Sequence, residues 1–297
     1  MTTDEHKGFR PNGRSFAQLF PSLALRVVIA IVGIPLILGA ARAGGYWLLA
    51  LVLALSGIGL WEFYRLAGAK GIKTLQWWGQ ATAACLLVAF STGDPRWWGA
   101  SVALALLLLV RTLFARPIDG SIAAAAVTVA GLFYIPVLLG HLMLLRDISD
   151  PLKLFPLLSD PMGAKLLVLT FALVWISDTG AYLVGMTLGR HPMAPRISPK
   201  KSYEGLFGGT AATMIAAVLA RPRWFPMIGP WEMAGLALGV VLFGVAGDLY
   251  ESLLKRDAGV KDSGTLLPGH GGILDRFDSL LFAVPFVYWY CRLVILP

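Results

Sequence analysis

The chain has 297 residues, of which 57% are hydrophobic and only 14% are charged, and its mean hydropathy is +0.71. Soluble globular domains carry about 25% charged residues, so this composition excludes an ordinary soluble protein. The formal net charge is +8, but the basic residues are spread over loops between apolar runs, which argues against nucleic acid as a partner. Cys85 and Cys291 lie in apolar runs without a CxxC pattern or a His neighbour, and they indicate neither a disulfide framework nor a metal site.

Residues 1–24 form a polar, basic segment before the first apolar run. Lys7, Arg10 and Arg14 stand there among Gly, Pro, Asn and Ser residues, which predicts a disordered arm. The run that follows has no small-residue cleavage pattern, so we interpret it as a membrane helix rather than a cleaved signal. We expect the tail to be cytoplasmic and to help set the topology.

Nine apolar runs follow along the chain. A helix needs about 20 apolar residues to cross a hydrocarbon core of about 30 Å. Aromatic pairs at several run ends, such as Trp97 and Trp98, are typical of membrane interfaces. The sequence therefore predicts an all-α polytopic membrane protein with about nine transmembrane helices. The runs lie near 25–41, 46–66, 78–91, 97–114, 121–145, 164–189, 203–220, 231–254 and 273–296.

The distribution of Lys and Arg predicts the orientation of these helices. With the N-terminus in the cytoplasm and alternation through nine spans, most of the 25 basic residues fall on the cytoplasmic side. This bias agrees with the positive-inside rule. It places the 190–204 loop and the 252–278 loop on the same, cytoplasmic face.

Ionisable residues divide the membrane region into two parts. Residues 25–160 contain few, and we interpret them as packing helices that could also mediate dimerisation. Their exception is Glu62, which is spaced i,i+3 from Arg65 at the end of a run, and we interpret it as interfacial capping and pairing. Residues 161–297 hold the intramembrane carboxylates, and we expect them to form the catalytic region.

Five carboxylates lie in or beside the last apolar runs. A carboxylate at bilayer depth costs about 2.5–3.5 kcal/mol, so their convergence indicates a functional site at the inner leaflet. We expect the two helices that flank the 252–278 loop to bring their acidic faces together. Clustered oxygen ligands of this kind suit Mg²⁺. The five are Asp178, Asp248, Glu251, Asp275 and Asp278.

Two loops contribute further residues to the predicted site, and both contain basic side chains. Glycines before the ninth run permit close backbone approach, and the next helix N-terminus should present free N–H groups to an anion, so we predict a polyphosphate cradle there. We interpret His270, in the same loop, as a turn residue that hydrogen-bonds the loop. In the other loop, Lys200 and Lys201 could bind lipid or nucleotide phosphate or act as topogenic charges, and Ser202 is a candidate N-cap. The glycines of 205–209 should let helices approach closely.

The segment 252–278 contains Ser252-x-Leu254-Lys255-Arg256, Lys261-Asp262 and Pro268-x-His270-Gly271-Gly272-x-x-Asp275-Arg276-x-Asp278. It resembles the signature of the phosphatidate cytidylyltransferase family, the CDP-diacylglycerol synthases. Residues 177–182 and 198–201 resemble two further motifs of the family, and one departure is 202–204, Ser-Tyr-Glu, where the family more often has Thr-Trp-Glu. The likeness is dense over residues 170–280 and only architectural before them.

The resemblance implies the reaction CTP + phosphatidate → CDP-diacylglycerol + diphosphate in phospholipid biosynthesis. It implies Mg²⁺, with a di-metal centre held by Asp248 and Asp275, Asp278 as a further ligand, and room for a second ion such as K⁺. It also implies a bacterial inner-membrane location and a homodimer. The implied catalytic residues are Asp248, Ser252, Lys255, Arg256 and Asp275. The implied substrate-binding residues are Asp178, Ser198, Lys200, Lys201, Lys261, Asp262, His270, Gly271, Gly272 and Arg276.

Two alternatives stay open at this point. A CTP-dependent lipid kinase or another lipid nucleotidyltransferase would have a similar architecture. A secondary transporter also carries intramembrane carboxylates and glycine-interrupted helices. Against a transporter, the sequence has no obvious inverted repeat, and its polar residues gather at one face of the membrane.

Overall fold

The computed structural model describes residues 31–114, 118–148, 162–264 and 271–296, so the predicted tail of residues 1–24 lies outside the described residues. Within these ranges the chain forms nine apolar helices and one two-stranded hairpin, which confirms the all-α prediction. The helices are α1 Ile31–Ala43, α2 Gly45–Ala69, α3 Gln76–Thr92, α4 Pro95–Leu113, α5 Ser121–Arg146, α6 Met162–Leu188, α7 Tyr203–Trp224, α8 Pro230–Asp257 and α9 Leu274–Ile295. The strands are β1 Pro192–Ala194 and β2 Ser198–Ser202, paired antiparallel.

Seven of the described helices are long and apolar enough to cross a membrane. The other two are α1 and α3, of which α3 has 17 residues. The helix α4 leaves large apolar side chains such as Leu106 and Leu109 exposed, as expected of a surface that lipid covers. The chain is therefore an integral membrane protein, and its helices follow the predicted runs closely.

Local chemistry explains several helix boundaries. The side chain of Asp94 accepts a hydrogen bond from the Arg96 N–H at 2.8 Å, and Pro95 occupies the first turn of α4, where a missing N–H costs nothing. Ser202 accepts from the Gly205 N–H at 3.1 Å, which confirms it as the N-cap of α7. The helix α5 contains a π-helical stretch, Phe133–Val137, around Pro136, since proline removes one helical hydrogen bond.

Contacts between helix ends confirm that the two polar loops lie together. The ammonium group of Lys70, just after α2, lies 3.1 Å from the Asp257 carboxylate at the end of α8. The Arg256 guanidinium, also at the end of α8, donates to the Ile197 carbonyl in the β-hairpin at 3.2 Å. The ends of α2 and α8 and the hairpin therefore occupy one end of the bundle.

Close packing of α6 against α7 confirms the prediction for the 205–209 glycines. A Cβ atom at Gly209 would lie 2.8 Å from the Ser177 carbonyl oxygen, and one at Gly205 would lie 2.8 Å from the Ala181 carbonyl oxygen. Only glycine allows the two backbones to approach this closely. The packing places the polar stretch of α6 beside the start of α7.

A single hydrophobic core runs through both parts of the membrane region. Its buried residues include Leu60 and Ile135 from the N-terminal helices and Leu236 and Val284 from the C-terminal ones. The division at residue 160 into packing and catalytic parts stays a prediction.

Candidate active site

A cavity of about 290 Å³ opens between α6, the β-hairpin, α7 and α8. Three separate segments of the sequence contribute its polar lining, which places Asp178, Lys200, Lys201 and Asp248 around one space. The lining residues are Ser177, Asp178, Ala181, Tyr182, Gly185, Met193, Lys200, Lys201, Ser202, Gly205, Leu206, Val245 and Asp248.

Asp248 lies at the centre of the polar contacts in this cavity. One oxygen lies 2.5 Å from the Lys201 ammonium, and the other accepts a hydrogen bond from the Ser252 hydroxyl at 3.3 Å. The carboxylates of Asp178 and Asp278 both interact electrostatically with that of Asp248. Three helices thus bring three carboxylates close enough to interact electrostatically, next to a lysine from β2.

The acidic faces of α8 and α9 meet, and the structure shows which of their side chains interact. The two helices pack closely, because a Cβ atom at Gly247 would collide with the Asp278 carbonyl oxygen. The α9 carboxylate that interacts with Asp248 is Asp278. Asp275 lies one turn earlier and pairs with Lys255 instead, at 2.6 Å.

Lys255 links two carboxylates inside the protein. Its ammonium contacts both Asp275 and Glu251, which lies one helical turn before it on α8. The Glu251 side chain is fully buried, and the side chains of Lys255 and Asp275 are 11% and 8% exposed. A buried carboxylate needs a partner, and Lys255 supplies one to both.

Asp275 also organises the turn before α9. Its second oxygen accepts hydrogen bonds from the Ser263 N–H at 2.9 Å, the Ser263 hydroxyl at 2.8 Å and the Gly272 N–H at 2.8 Å. The next two amides, of Ile273 and Leu274, donate to the Glu62 carboxylate at 3.0 and 2.8 Å. The expectation that these N–H groups would be free for an anion is therefore wrong, because the protein's own carboxylates complement this helix end.

The interpretation of Glu62 as an interfacial capping and pairing residue is also wrong. Its side chain is fully buried and caps α9, a helix 212 residues further along the chain. The Arg65 guanidinium lies over the Trp61 ring instead, 4.7 Å from its centre. The signal that could have located Glu62 is the one used for the other carboxylates, an acidic side chain within an apolar run.

The β-hairpin presents its two lysines differently. Lys201 is half-buried against Asp248, whereas Lys200 is exposed at the mouth of the cavity. Ser198 is half-buried and pairs with Ala194 across the hairpin. The Glu204 carboxylate accepts the N–H groups of Arg190 and His191 at 3.1 and 3.2 Å and closes the base of the hairpin. The motif did not predict this anchoring role for its Glu.

The remaining predicted residues lie nearer the surface. Lys261, Asp262 and Arg276 are exposed, and Gly271 has a positive φ of 82° that favours glycine. His270 falls outside the described residues. Arg256 is bound to backbone carbonyls of Ile197 and Val260. It therefore ties the end of α8 to the hairpin.

The carboxylates in the cavity, Asp178 and Asp248, together with the neighbouring Asp278, suit Mg²⁺ in part. Among the residues that the structure describes, no three His, Cys, Asp or Glu side chains converge closely enough to form a complete metal cluster. Mg²⁺ does not require one, because it is commonly bound through one or two carboxylates, with water and substrate phosphate as the other ligands. Asp248 and Asp278 fit this requirement. Asp275 fits it less well, since one of its oxygens accepts three hydrogen bonds and the other accepts from Lys255, whereas each oxygen of Asp248 has one such partner among the described residues.

The fold and the site define a class: a polytopic membrane enzyme whose buried cation and carboxylate groups meet at one end of the bundle. The chain matches the profile of the Cytidylyltransferase family over residues 24–294, and it belongs to that family. It is 34% identical over 287 residues to a phosphatidate cytidylyltransferase of Synechocystis, an alignment that covers 91% of this chain and 97% of the relative. Phosphatidate cytidylyltransferases of Staphylococcus aureus strain COL and a Staphylococcus epidermidis strain are 46% and 43% identical over 123 residues, 41% of this chain and 47% of each relative.

Proposed function

We propose that this protein is a phosphatidate cytidylyltransferase. A phosphatidate oxygen attacks the α-phosphorus of CTP, the bond between the α- and β-phosphates breaks, and diphosphate leaves. The products are CDP-diacylglycerol, a phospholipid precursor, and diphosphate. Membership of the cytidylyltransferase family and the names of its bacterial relatives support this assignment.

One observation carries the proposal. Three segments far apart in the chain bring Asp178, Lys201 and Asp248 to one cavity, beside the Lys255 cluster, at the end of helices that can span a membrane. A reaction between a lipid phosphate and a nucleotide needs such a place, since one substrate is held in the bilayer and the other arrives from water.

The residues suit the chemistry because the main obstacle is charge. A phosphatidate oxygen is already anionic near neutral pH, so a strong base is not needed. The barrier comes from bringing two polyanions together and from negative charge on the departing diphosphate. Preorganised cations such as Lys201 and Lys255 reduce that barrier by charge neutralisation and alignment.

Asp248 and Asp278 would hold Mg²⁺, with Asp178 beside them. When bound there, the ion would neutralise charge on the transferred and departing phosphates. The chain's own residues position the ligands: Ser252 donates to Asp248, and Lys201 neutralises it from the hairpin. A second ion such as K⁺ and a role for Asp275 as a ligand remain predictions from the family resemblance.

The exposed Lys200 is assigned to the incoming substrate and the half-buried Lys201 to the reacting centre. Lys200 lines both the central cavity and an adjoining cavity of about 520 Å³ that also includes Arg190. Cationic side chains at a membrane surface attract anionic lipid and nucleotide phosphates. We assign the site to the cytoplasmic face of a bacterial inner membrane, where the basic loops are predicted to lie, and the homodimer likewise rests on the resemblance alone.

The test is a transfer assay with purified full-length protein in detergent micelles that contain phosphatidate. Two parallel reactions carry CTP labelled with radioactive phosphorus at the α position or at the γ position. Cytidylyl transfer puts the α label into chloroform-soluble lipid and leaves the γ label in aqueous diphosphate. Chelation of Mg²⁺ should abolish the lipid signal.

The same assay separates the alternatives. A CTP-dependent lipid kinase would move the γ label into lipid and release the α label as CDP. Transfer of neither label would refute both enzymatic assignments. The Asp248→Asn variant serves as the control for contaminating activity from the expression host.

A further inference from the structure

Glu62 belongs to the N-terminal helices, yet among the described residues its carboxylate hydrogen-bonds to the loop that precedes the last helix and to the first residue of that helix. Its carboxylate accepts hydrogen bonds from the Ile273 N–H at 3.0 Å, the Leu274 N–H at 2.8 Å and the Ser263 hydroxyl at 3.2 Å. These partners lie 201 to 212 residues away in the chain. The side chain is 0% exposed, so water cannot replace any of them. Three buried donors therefore need a hydrogen-bond acceptor at position 62.

The loop backbone is shaped around this carboxylate. A Cβ atom at Gly264 or at Gly272 would collide with the carboxylate oxygens of Glu62, and one at Gly271 would lie 2.6 Å from an Asp275 oxygen. A side chain at Gly264 or Gly272 would therefore displace the Glu62 carboxylate, and the positive φ of Gly271 also favours glycine. The glycines of the signature make room for protein carboxylates.

Ser263 connects Glu62 to the charged groups of the site. Its hydroxyl lies 3.2 Å from a Glu62 oxygen and 2.8 Å from an Asp275 oxygen, and its single proton can be donated to only one of them at a time. The other oxygen of Asp275 accepts from Lys255. A continuous line of contacts thus runs from α2 through the loop to Lys255 on α8.

We propose that Glu62 is a positioning residue of the active site, which holds the Ser263 and Gly272–Leu274 segments so that Asp275 and Lys255 keep their alignment. The inference deepens the proposed function and rests on it for its catalytic consequence. Its structural part, that Glu62 closes the loop onto α9, is independent of the reaction. A member of the N-terminal region is thereby part of the catalytic apparatus.

The first test is hydrogen–deuterium exchange on the full-length protein in detergent, read at the amides of Ile273 and Leu274, which donate to Glu62. Glu62→Gln keeps the size of the side chain but places an NH₂ group opposite a backbone N–H, whichever way the amide turns. Loss of a charged acceptor should raise exchange at these amides by roughly 10- to 100-fold. Glu62→Asp, which withdraws the carboxylate by one methylene, should give a smaller increase.

The matched control is His141→Ala. His141 also joins the N-terminal helices to α9, by accepting a hydrogen bond from the Trp289 indole N–H at 3.2 Å, but it does so near the other end of that helix. This variant should leave exchange at the Ile273 and Leu274 amides unchanged. Equal exchange in wild type and Glu62→Gln, or an equal rise in His141→Ala, would overturn the proposal.

The second test is steady-state kinetics. Glu62→Gln should lower kcat by about 10- to 100-fold and change the KM for phosphatidate by less than about twofold, since alignment rather than lipid binding is lost. Ser263→Ala should give the same pattern, and the double variant should be no worse than the more damaged single variant, because both act through one line of contacts. A purely structural role would instead lower the active fraction with unchanged kcat per folded molecule.

The two tests also keep the proposals apart. If the wild-type protein shows no cytidylyl transfer, the proposed function fails, while the exchange data still decide whether Glu62 holds the loop. If Glu62→Gln does not accumulate as folded protein, Ser263→Ala alone decides: wild-type kcat in that variant would refute the line of contacts.

Discussion

Replacement of Lys255 by Met should destabilise the protein far more than loss of an exposed lysine. Met keeps the apolar stem but removes the ammonium that contacts Glu251 and Asp275. Those carboxylates are 0% and 8% exposed, so water cannot solvate them in place of the lysine. Removal of one partner from a buried ion pair costs about 3–5 kcal/mol, and we expect a loss in that range.

The assay is equilibrium unfolding of the purified protein in mixed micelles with increasing SDS, followed by circular dichroism. The control is Lys70→Met at the same end of the bundle, where the lysine and its partner Asp257 are 46% and 66% exposed. Surface pairs of this kind contribute at most about 1 kcal/mol, so this variant should unfold close to wild type.

A double variant tests the physical cause. If the loss in Lys255→Met comes from an uncompensated buried charge, then Glu251→Gln in the same chain should recover about 0.5–3 kcal/mol, the usual coupling between contacting residues. A loss below about 1 kcal/mol in Lys255→Met, or a double variant less stable than Lys255→Met alone, would refute this reasoning.

Three further predictions concern the cavity and the hairpin. Asp248→Asn should abolish Mg²⁺-dependent transfer while the protein still inserts and folds, as checked by size-exclusion chromatography; wild-type-like activity would remove Asp248 from the proposed metal ligands. Lys200→Ala should raise the apparent KM for one substrate with kcat unchanged, whereas Lys201→Ala, which removes the partner of Asp248, should lower kcat; steady-state kinetics in both substrates separates the two. Ser202→Ala should cost about 1 kcal/mol through loss of the N-cap of α7, and Ser202→Asp should cost less, as measured by the same SDS titration.

The helices of this protein were predictable because the signal for them is local. The predicted run 203–220 became α7 at Tyr203–Trp224, and the run 231–254 became α8 at Pro230–Asp257. Hydropathy over some 20 residues decides whether a segment can lie in lipid, and that quantity does not depend on the rest of the fold. The N-cap role of Ser202 was local in the same way, because the serine hydroxyl accepts its hydrogen bond from the N–H of Gly205, only three residues further along.

The site was predictable as a set of residues but not as a set of pairs. The cost of a carboxylate in an apolar run indicates that each one needs a partner, yet it does not name that partner. The spacing predicted that the acidic faces of α8 and α9 would meet, but not that Asp278 would interact with Asp248 while Asp275 contacts Lys255. A shift of one helical turn between α8 and α9 is enough for this difference, and it depends on how their side chains pack.

Glu62 shows most clearly which contacts the sequence alone could not predict. The hydropathy pattern located it correctly at the end of a membrane helix, and its spacing from Arg65 favoured a local ion pair. The folded chain buries it against Ser263, Ile273 and Leu274, more than 200 residues away. No local pattern encodes such a contact, because it exists only when three helices pack around one loop and water is removed from the carboxylate.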